Sequence, residues 1–171
     1  MDIQQIRNAT LVVTYANQVL LIDPFLGEKG SLPPFGQTPN AVANPLVDLP
    51  VDVKTLLDPD AIFVTHLHAD HFDDAAKQLL PKHLPLYAQQ EDDAQQIREA
   101  GFTNVSSFDS GVTIGDIQVH RTGGQHGVGE IGERMGRVSG LVLTHSDEPT
   151  LYIAGDTIWC DEVAHAIEQH T

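Results

Sequence analysis

At 171 residues the chain is long enough for one domain with a hydrophobic core and short for two. A net charge of −15 excludes a broad polyanion-binding surface, so no nucleic-acid partner is expected, although bound cations could still create a local anion site. No stretch approaches the roughly 20 apolar residues of a membrane span, so no membrane partner is expected either. The start of the chain is polar, and the single cysteine, Cys160, rules out an intramolecular disulfide, which together lead to a cytoplasmic expectation.

In chain order, residues 11–15 and 19–22 are apolar and β-branched around a short turn and predict a hairpin. Residues 24–50 are rich in proline and glycine and predict a long loop, a feature that in a compact domain is usually functional or disordered. Residues 61–64 predict a buried strand, and residues 73–80 a helix with an acidic first turn stopped by Pro81. Residues 84–88 predict a weaker strand, which Pro85 restricts to an edge or an end. Residues 91–100 predict a helix closed by Gly101, and the Gly115-Asp116 pair predicts a second hairpin between residues 112–114 and 117–120. A second glycine-rich loop spans residues 123–136, two strands follow at 138–144 and 150–154, and a last helix covers 161–170. Hairpins mixed with strand–helix alternation point to an α/β (α+β) domain in which a mixed sheet is layered with helices.

The chemistry concentrates in Thr65-His66-Leu67-His68-Ala69-Asp70-His71. His66 and His68 are two apart at the end of an apolar strand, where side chains at that spacing share one side, so two imidazoles converge. Asp70 and His71 follow at the strand-to-helix turn and can face a second point nearby. Imidazole is the commonest ligand for zinc, and carboxylate adds the hard oxygen that suits manganese or iron. Three histidines and an aspartate in six residues are poorly explained by packing, because adjacent imidazolium charges repel. By itself His126, among glycines, reads equally as a ligand or a loop histidine, and Gly155-Asp156-Thr157 by itself reads as a turn.

The pattern His66-x-His68-x-Asp70-His71 resembles the signature of the metallo-β-lactamase superfamily. Further resemblances follow in order: Leu21-Ile22-Asp23-Pro24 to the family's second strand, Thr122-Gly123-Gly124-Gln125-His126-Gly127 to the loop that supplies a third histidine, and Ala154-Gly155-Asp156-Thr157 to the strand end that supplies a bridging aspartate. The resemblance covers residues 10–160, and the most similar subgroup is that of the ascorbate-6-phosphate lactonase. It implies an αββα sandwich with one or two divalent metal ions. His66, His68 and His126 would hold one ion, Asp70 and His71 the other, and Asp156 would bridge them. Asp23 would support a ligand from behind or cap its strand. It implies hydrolysis by a metal-activated hydroxide, with Asp70 as the proton shuttle, on a small molecule such as a lactone or a phosphoester.

Family members usually carry one more histidine on a later strand, and no candidate follows Asp156 within reach, since His165 lies some 12 Å along a helix. The expectation is therefore a single metallo-hydrolase domain over residues 1–171, truncated at its C-terminal side and covered there by another chain or a partner, with a homo-oligomer expected; a natural compact variant is the alternative. Rival functions are a phosphodiesterase or nuclease of the same fold, disfavoured by the charge, and a non-catalytic metal-binding fragment.

Overall fold

The computed structural model describes residues 1–36 and 39–170; Gln37 and Thr38, inside the expected long loop, and Thr171 lie outside the described residues. The first sheet contains β1 (Asp2–Arg7), β2 (Thr10–Tyr15), β3 (Gln18–Ile22), β4 (Ala61–Val64), β5 (Leu86–Ala88) and β6 (Val105–Ser107), in that spatial order. Strands β1 to β3 form an antiparallel meander, and β3 to β6 run parallel. The second sheet is antiparallel, in the order β10 (Glu148–Ile153), β9 (Gly140–His145), β8 (Ile117–Thr122), β7 (Val112–Ile114). Helices α1 (Asp74–Leu79) and α2 (Glu91–Glu99) make the crossovers of the parallel part, while α3 (Gly129–Met135) and α4 (Asp161–His170) flank the second sheet's late strands.

The period-2 alternation of the first sheet sorts its side chains into two cores. Leu21, Ile62, Val64 and Leu86 face α1 and α2 and pack with Ala76, Leu80, Ala94 and Ile97. Leu20, Ile22, Ala61 and Phe63 face the second sheet and pack with Ile117, Val119, Leu141 and Leu143. Phe63 stacks on Tyr87 at 5.1 Å and meets the edge of Phe108 at 5.4 Å, between the sheets. Helix α4 lies on the outer face of the second sheet, where the His170 ring rests 4.8 Å from that of His120. The layers are α, β, β and α, the sandwich expected from the sequence.

Both hairpins form where the sequence places them. Pro85 sits just ahead of β5 and contributes only its carbonyl, which accepts from the Ile62 N–H at 2.8 Å, so the strand can be internal. Asp73 caps α1 by accepting from the Ala76 N–H at 2.8 Å. A short 3-10 helix, Val53–Leu56, forms where no element was expected, and three further elements depart from expectation. Strand β1 forms from the polar run at residues 2–7, whose first four residues are exposed; β6 is a short strand in a segment not expected to pair; and α3 forms inside the second glycine-rich loop with no buried residue. The first loop is tethered rather than loose. The buried Arg7 guanidinium donates to the carbonyls of Phe25 (3.1 Å) and Gly27 (2.6 Å) at its start and of Val47 (3.0 Å) near its end. Among the described residues no helix is long and apolar enough to cross a membrane.

Candidate metal centre

Strand β4 is buried along its whole length and delivers the chain into a tight turn at its C-terminal end, where the His71 and Phe72 N–H groups both donate to the His68 carbonyl (2.9 and 3.0 Å). The turn folds His66, His68 and His71 back on one another, with ring centroids 4.4 Å apart for His66–His68 and 4.0 Å for His66–His71. His126 arrives from the loop after β8, 5.5 Å from His66 and 5.1 Å from His68. Asp156 arrives after β10, its Oδ2 3.2 Å from His71 Nε2 and 3.3 Å from His126 Nε2. Gly155, just before it, holds φ at +69°, and a Cβ there would meet the Ser139 carbonyl oxygen at 2.4 Å, so only glycine can bring Asp156 in this way.

Asp23 sits behind the cluster. It is buried, holds a left-handed φ of +46°, and its carboxylate accepts from the Thr65 N–H (2.7 Å), the Thr65 hydroxyl (2.7 Å) and His71 Nδ1–H (2.9 Å). Its own backbone is fixed by the Phe63 carbonyl, which accepts its N–H at 2.8 Å, and by the Thr10 hydroxyl, which donates to its carbonyl at 2.7 Å. Thr65 directs its one hydroxyl proton to Asp23, so its oxygen can only accept from His66 Nδ1–H, 3.3 Å away. That places the proton of a neutral His66 on Nδ1 and leaves a lone pair on Nε2.

The electrostatics agree. Burial, then the neighbouring His71 and His68, push His66 down to about 3, so it is neutral at physiological pH. His68 is also lowered, first by burial and then by His126, with Asp70 opposing. For His71, burial acts downward but is outweighed by the hydrogen bonds to Asp156 and Asp23, which lift it to about 10. Asp156 is held down at about 2, chiefly by its hydrogen bond from His71.

Two groups of ligand atoms result, each with its members within 4.8 Å of one another: His66, His68 and His126, and His66, His71 and Asp156. His66 Nε2 and His126 Nδ1 are buried and have no hydrogen-bond partner among the described residues. A buried lone pair without a donor, surrounded by three further imidazoles and a carboxylate, fits a divalent cation. Of the residues singled out in the sequence, Asp70 alone of the expected ligands stands outside both groups. It is half-exposed beside His68 and makes no hydrogen bond or ion pair among the described residues. The other histidines lie apart; His145, for example, accepts from the Asp147 N–H at 3.1 Å. Sequence reasoning included Thr65 in the motif but gave it no role, although its hydroxyl links Asp23 to the histidines, and it missed Ser139, which donates to the Thr65 carbonyl at 3.1 Å. A threonine directly ahead of the histidine run was the available signal for the first.

Residues 18–170 match the model of the β-lactamase superfamily domain. The chain belongs to the metallo-β-lactamase superfamily. Within this superfamily it is 47% identical to the UPF0173 protein YddR of Bacillus subtilis over 99% of this chain and 68% of that protein. It is 29% identical to a UPF0173 metal-dependent hydrolase of Koribacter versatilis, over 92% of this chain and 65% of that protein. Among solved structures, an isothiocyanate hydrolase from Delia radicum gut bacteria superposes with a TM-score of 0.93 at 42% identity, covering 99% of this chain and 68% of the other. The chain thus spans about two thirds of the length of the superfamily members it matches.

Proposed function

We propose that this domain is a metal-dependent hydrolase that acts on a small, uncharged electrophile. The observation that carries the reading is the bare Nε2 of His66, proton-free and buried at the centre of the cluster. His66, His68 and His126 would hold one ion, and His71 with Asp156 a second or shared one. Zinc suits the imidazole-rich set, and manganese or iron suits the carboxylate. When bound, the ion supplies Lewis acidity, which brings the ionisation of water toward neutral pH and polarises the substrate. The chain's residues do the rest. Asp23 and Thr65 fix the orientation and tautomer of His71 and His66. Asp70, half-exposed near His68, would take the proton of the attacking water.

An isothiocyanate is the first substrate to test, because the similar solved structure at 42% identity is of an enzyme named for that activity. Water adds to the central carbon of R–N=C=S to give R–NH–C(O)SH, which breaks down to the amine and carbonyl sulfide. A neutral substrate also suits a chain of net charge −15. The exposed apolar side chains of Val128, Ile131, Ile158 and Trp159, on the segments that follow His126 and Asp156, offer surface for an apolar R group. A lactone or phosphoester is the alternative that the subgroup resemblance supplies. The same reading places the protein in the cytoplasm as a homo-oligomer, supported by its lone half-buried Cys160 and its exposed apolar side chains.

The test is turnover of benzyl isothiocyanate, a γ-lactone and a phosphodiester by zinc-loaded, metal-stripped and His66→Ala protein. Turnover of the isothiocyanate that vanishes on stripping, returns with zinc and is absent in the variant is expected. Turnover that survives stripping overturns the metal-dependent reading, and turnover of the lactone or phosphodiester alone overturns the substrate choice.

A further inference from the structure

The loop that carries His126 is held by a segment distant in sequence, and the backbone N–H, the backbone carbonyl and the side-chain NH2 of Gln125 all take part in holding it. Gln125 donates its backbone N–H to the Thr157 hydroxyl oxygen at 3.0 Å. Its carbonyl accepts from the Ile158 N–H at 2.9 Å. Its side-chain amide donates to both carboxylate oxygens of Glu162, at 3.2 and 3.1 Å, in the first turn of α4. The Thr157 hydroxyl in turn donates to the Ile158 carbonyl at 2.9 Å. The two residues before Gln125 are glycines for a steric reason: a Cβ on Gly123 would meet Glu162 Cγ at 2.9 Å, and one on Gly124 would meet Thr157 Oγ1 at 2.9 Å. The loop therefore lies directly on residues 157–162.

The consequence concerns the metal centre, because the stitched segments carry its ligands. His126 follows Gln125 directly, Asp156 precedes Thr157 directly, and their side chains meet at 3.3 Å. We propose that Gln125, Thr157 and Glu162 form a positioning unit that locks His126 and Asp156 together and seats α4 as the support of the metal site. The unit touches neither substrate nor ion. It acts by removing the freedom of a glycine-rich loop to carry His126 away, which would otherwise oppose ion binding.

This inference rests on the metal-centre reading, and the experiment separates the two. Zinc affinity is measured by chelator competition, and cobalt-substituted protein is followed by its visible absorption, for wild type and four variants. Gln125→Glu sets two carboxylates against each other; combined with Glu162→Gln it rebuilds the bond with donor and acceptor exchanged. Thr157→Val keeps the shape and removes the hydroxyl, while Thr157→Ser keeps the hydroxyl. Expected are losses of about 10-fold for Gln125→Glu and about 10–100-fold for Thr157→Val, the range typical of groups that orient ligands. The cobalt spectrum should change in both, and the exchanged pair and the serine variant should return toward wild type. Wild-type affinity in both single variants, or an exchanged pair no tighter than Gln125→Glu, overturns the positioning unit. A wild-type protein that binds neither ion overturns the metal-centre reading itself.

Discussion

Asp23→Asn isolates the group behind the metal ligands. Asparagine tolerates the left-handed φ of +46° about as well as aspartate, so the backbone is left in place. The carboxylate accepts three hydrogen bonds, from the Thr65 N–H, the Thr65 hydroxyl and His71 Nδ1. An amide can keep the first through its oxygen, but its NH2 then faces the other two donors. The Thr65 hydroxyl can turn and accept from that NH2, which points its own proton away from residue 23 and leaves its oxygen less available to His66. His71 must give up its Nδ1 proton and carry its remaining proton on Nε2, the atom that faces Asp156 and the candidate ion. Bonds to a charged acceptor are worth about 1.5–3 kcal/mol each, and one of the three is lost outright, so metal-free stability should fall by roughly 2–3 kcal/mol. Zinc affinity should fall about 10–100-fold, because the wrong His71 tautomer must be reversed before the ion binds. Chelator competition and urea unfolding of the same preparation read both numbers. An unchanged zinc affinity alongside the stability loss would refute the argument, since it would make Asp23 a strand-end cap with no hold on the site.

Two further predictions follow from the charges and from the long loop. In metal-stripped protein, His66 at about 3 lies below its ordinary value, so the unfolded chain binds the extra proton between about pH 3 and 6.5 and stability rises with pH there. Asp156, held at about 2, adds to the loss on the acid side: its contribution is present above its ordinary value and disappears as pH falls through about 2. His71 at about 10 lies above its ordinary value, so its contribution is full below about pH 6.5 and is lost as pH climbs through 10. Urea midpoints of stripped protein should therefore peak near pH 6.5 and decline by pH 9, while zinc, which takes the place of the His71 proton, should flatten the alkaline decline; a midpoint still rising between pH 6.5 and 9 in stripped protein would contradict the assignment. Arg7→Gln strips the donors from the Phe25, Gly27 and Val47 carbonyls, so limited proteolysis should cut within residues 24–50 at least about tenfold faster, with roughly 1–3 kcal/mol lost overall; an unchanged cleavage rate would show that the loop holds itself.

The parts of the fold that were legible in the sequence are those whose periodicity matches their burial. Strand β4 is apolar throughout because both its faces are covered, and α2 carries an acidic first turn and a glycine stop. Strand β1 was not legible, because pairing with β2 commits its backbone while its side chains stay polar and exposed. Helix α3 was not legible either: Gly129 and Gly132 oppose it by propensity, and it buries nothing that a pattern could reveal. In the candidate site, spacing predicted the convergence of His66 and His68, and family resemblance brought in His126 and Asp156. Spacing also suggested Asp70 beside His71 on a second ion. Among the described residues the two groups of ligand atoms share His66, and Asp70 stands half-exposed near His68; the tight turn closed on the His68 carbonyl is a feature that no linear spacing encodes.

The way the site is divided between the sheets explains why its geometry depends on the core as much as on the loops. The first sheet supplies His66, His68 and His71 from the end of β4, and the second supplies His126 and Asp156 from the ends of β8 and β10. Neither sheet holds a complete group of ligands, since each group draws on both. The separation of the two halves is therefore set by what lies between the sheets: Phe63 with Tyr87 and Phe108 deep in the layer, and at its rim the Ser139 hydroxyl on the Thr65 carbonyl. Close-packed interiors resist small changes of spacing, because any gap opened between side chains forfeits both apolar burial and dispersion. The packed aromatic layer between the sheets thus resists, before any ion arrives, a change in how near the two half-sites stand. The crowding of His66 against three imidazoles, which opposes a proton on His66 itself, is held in place by the Asp23–Thr65 pair that contacts it.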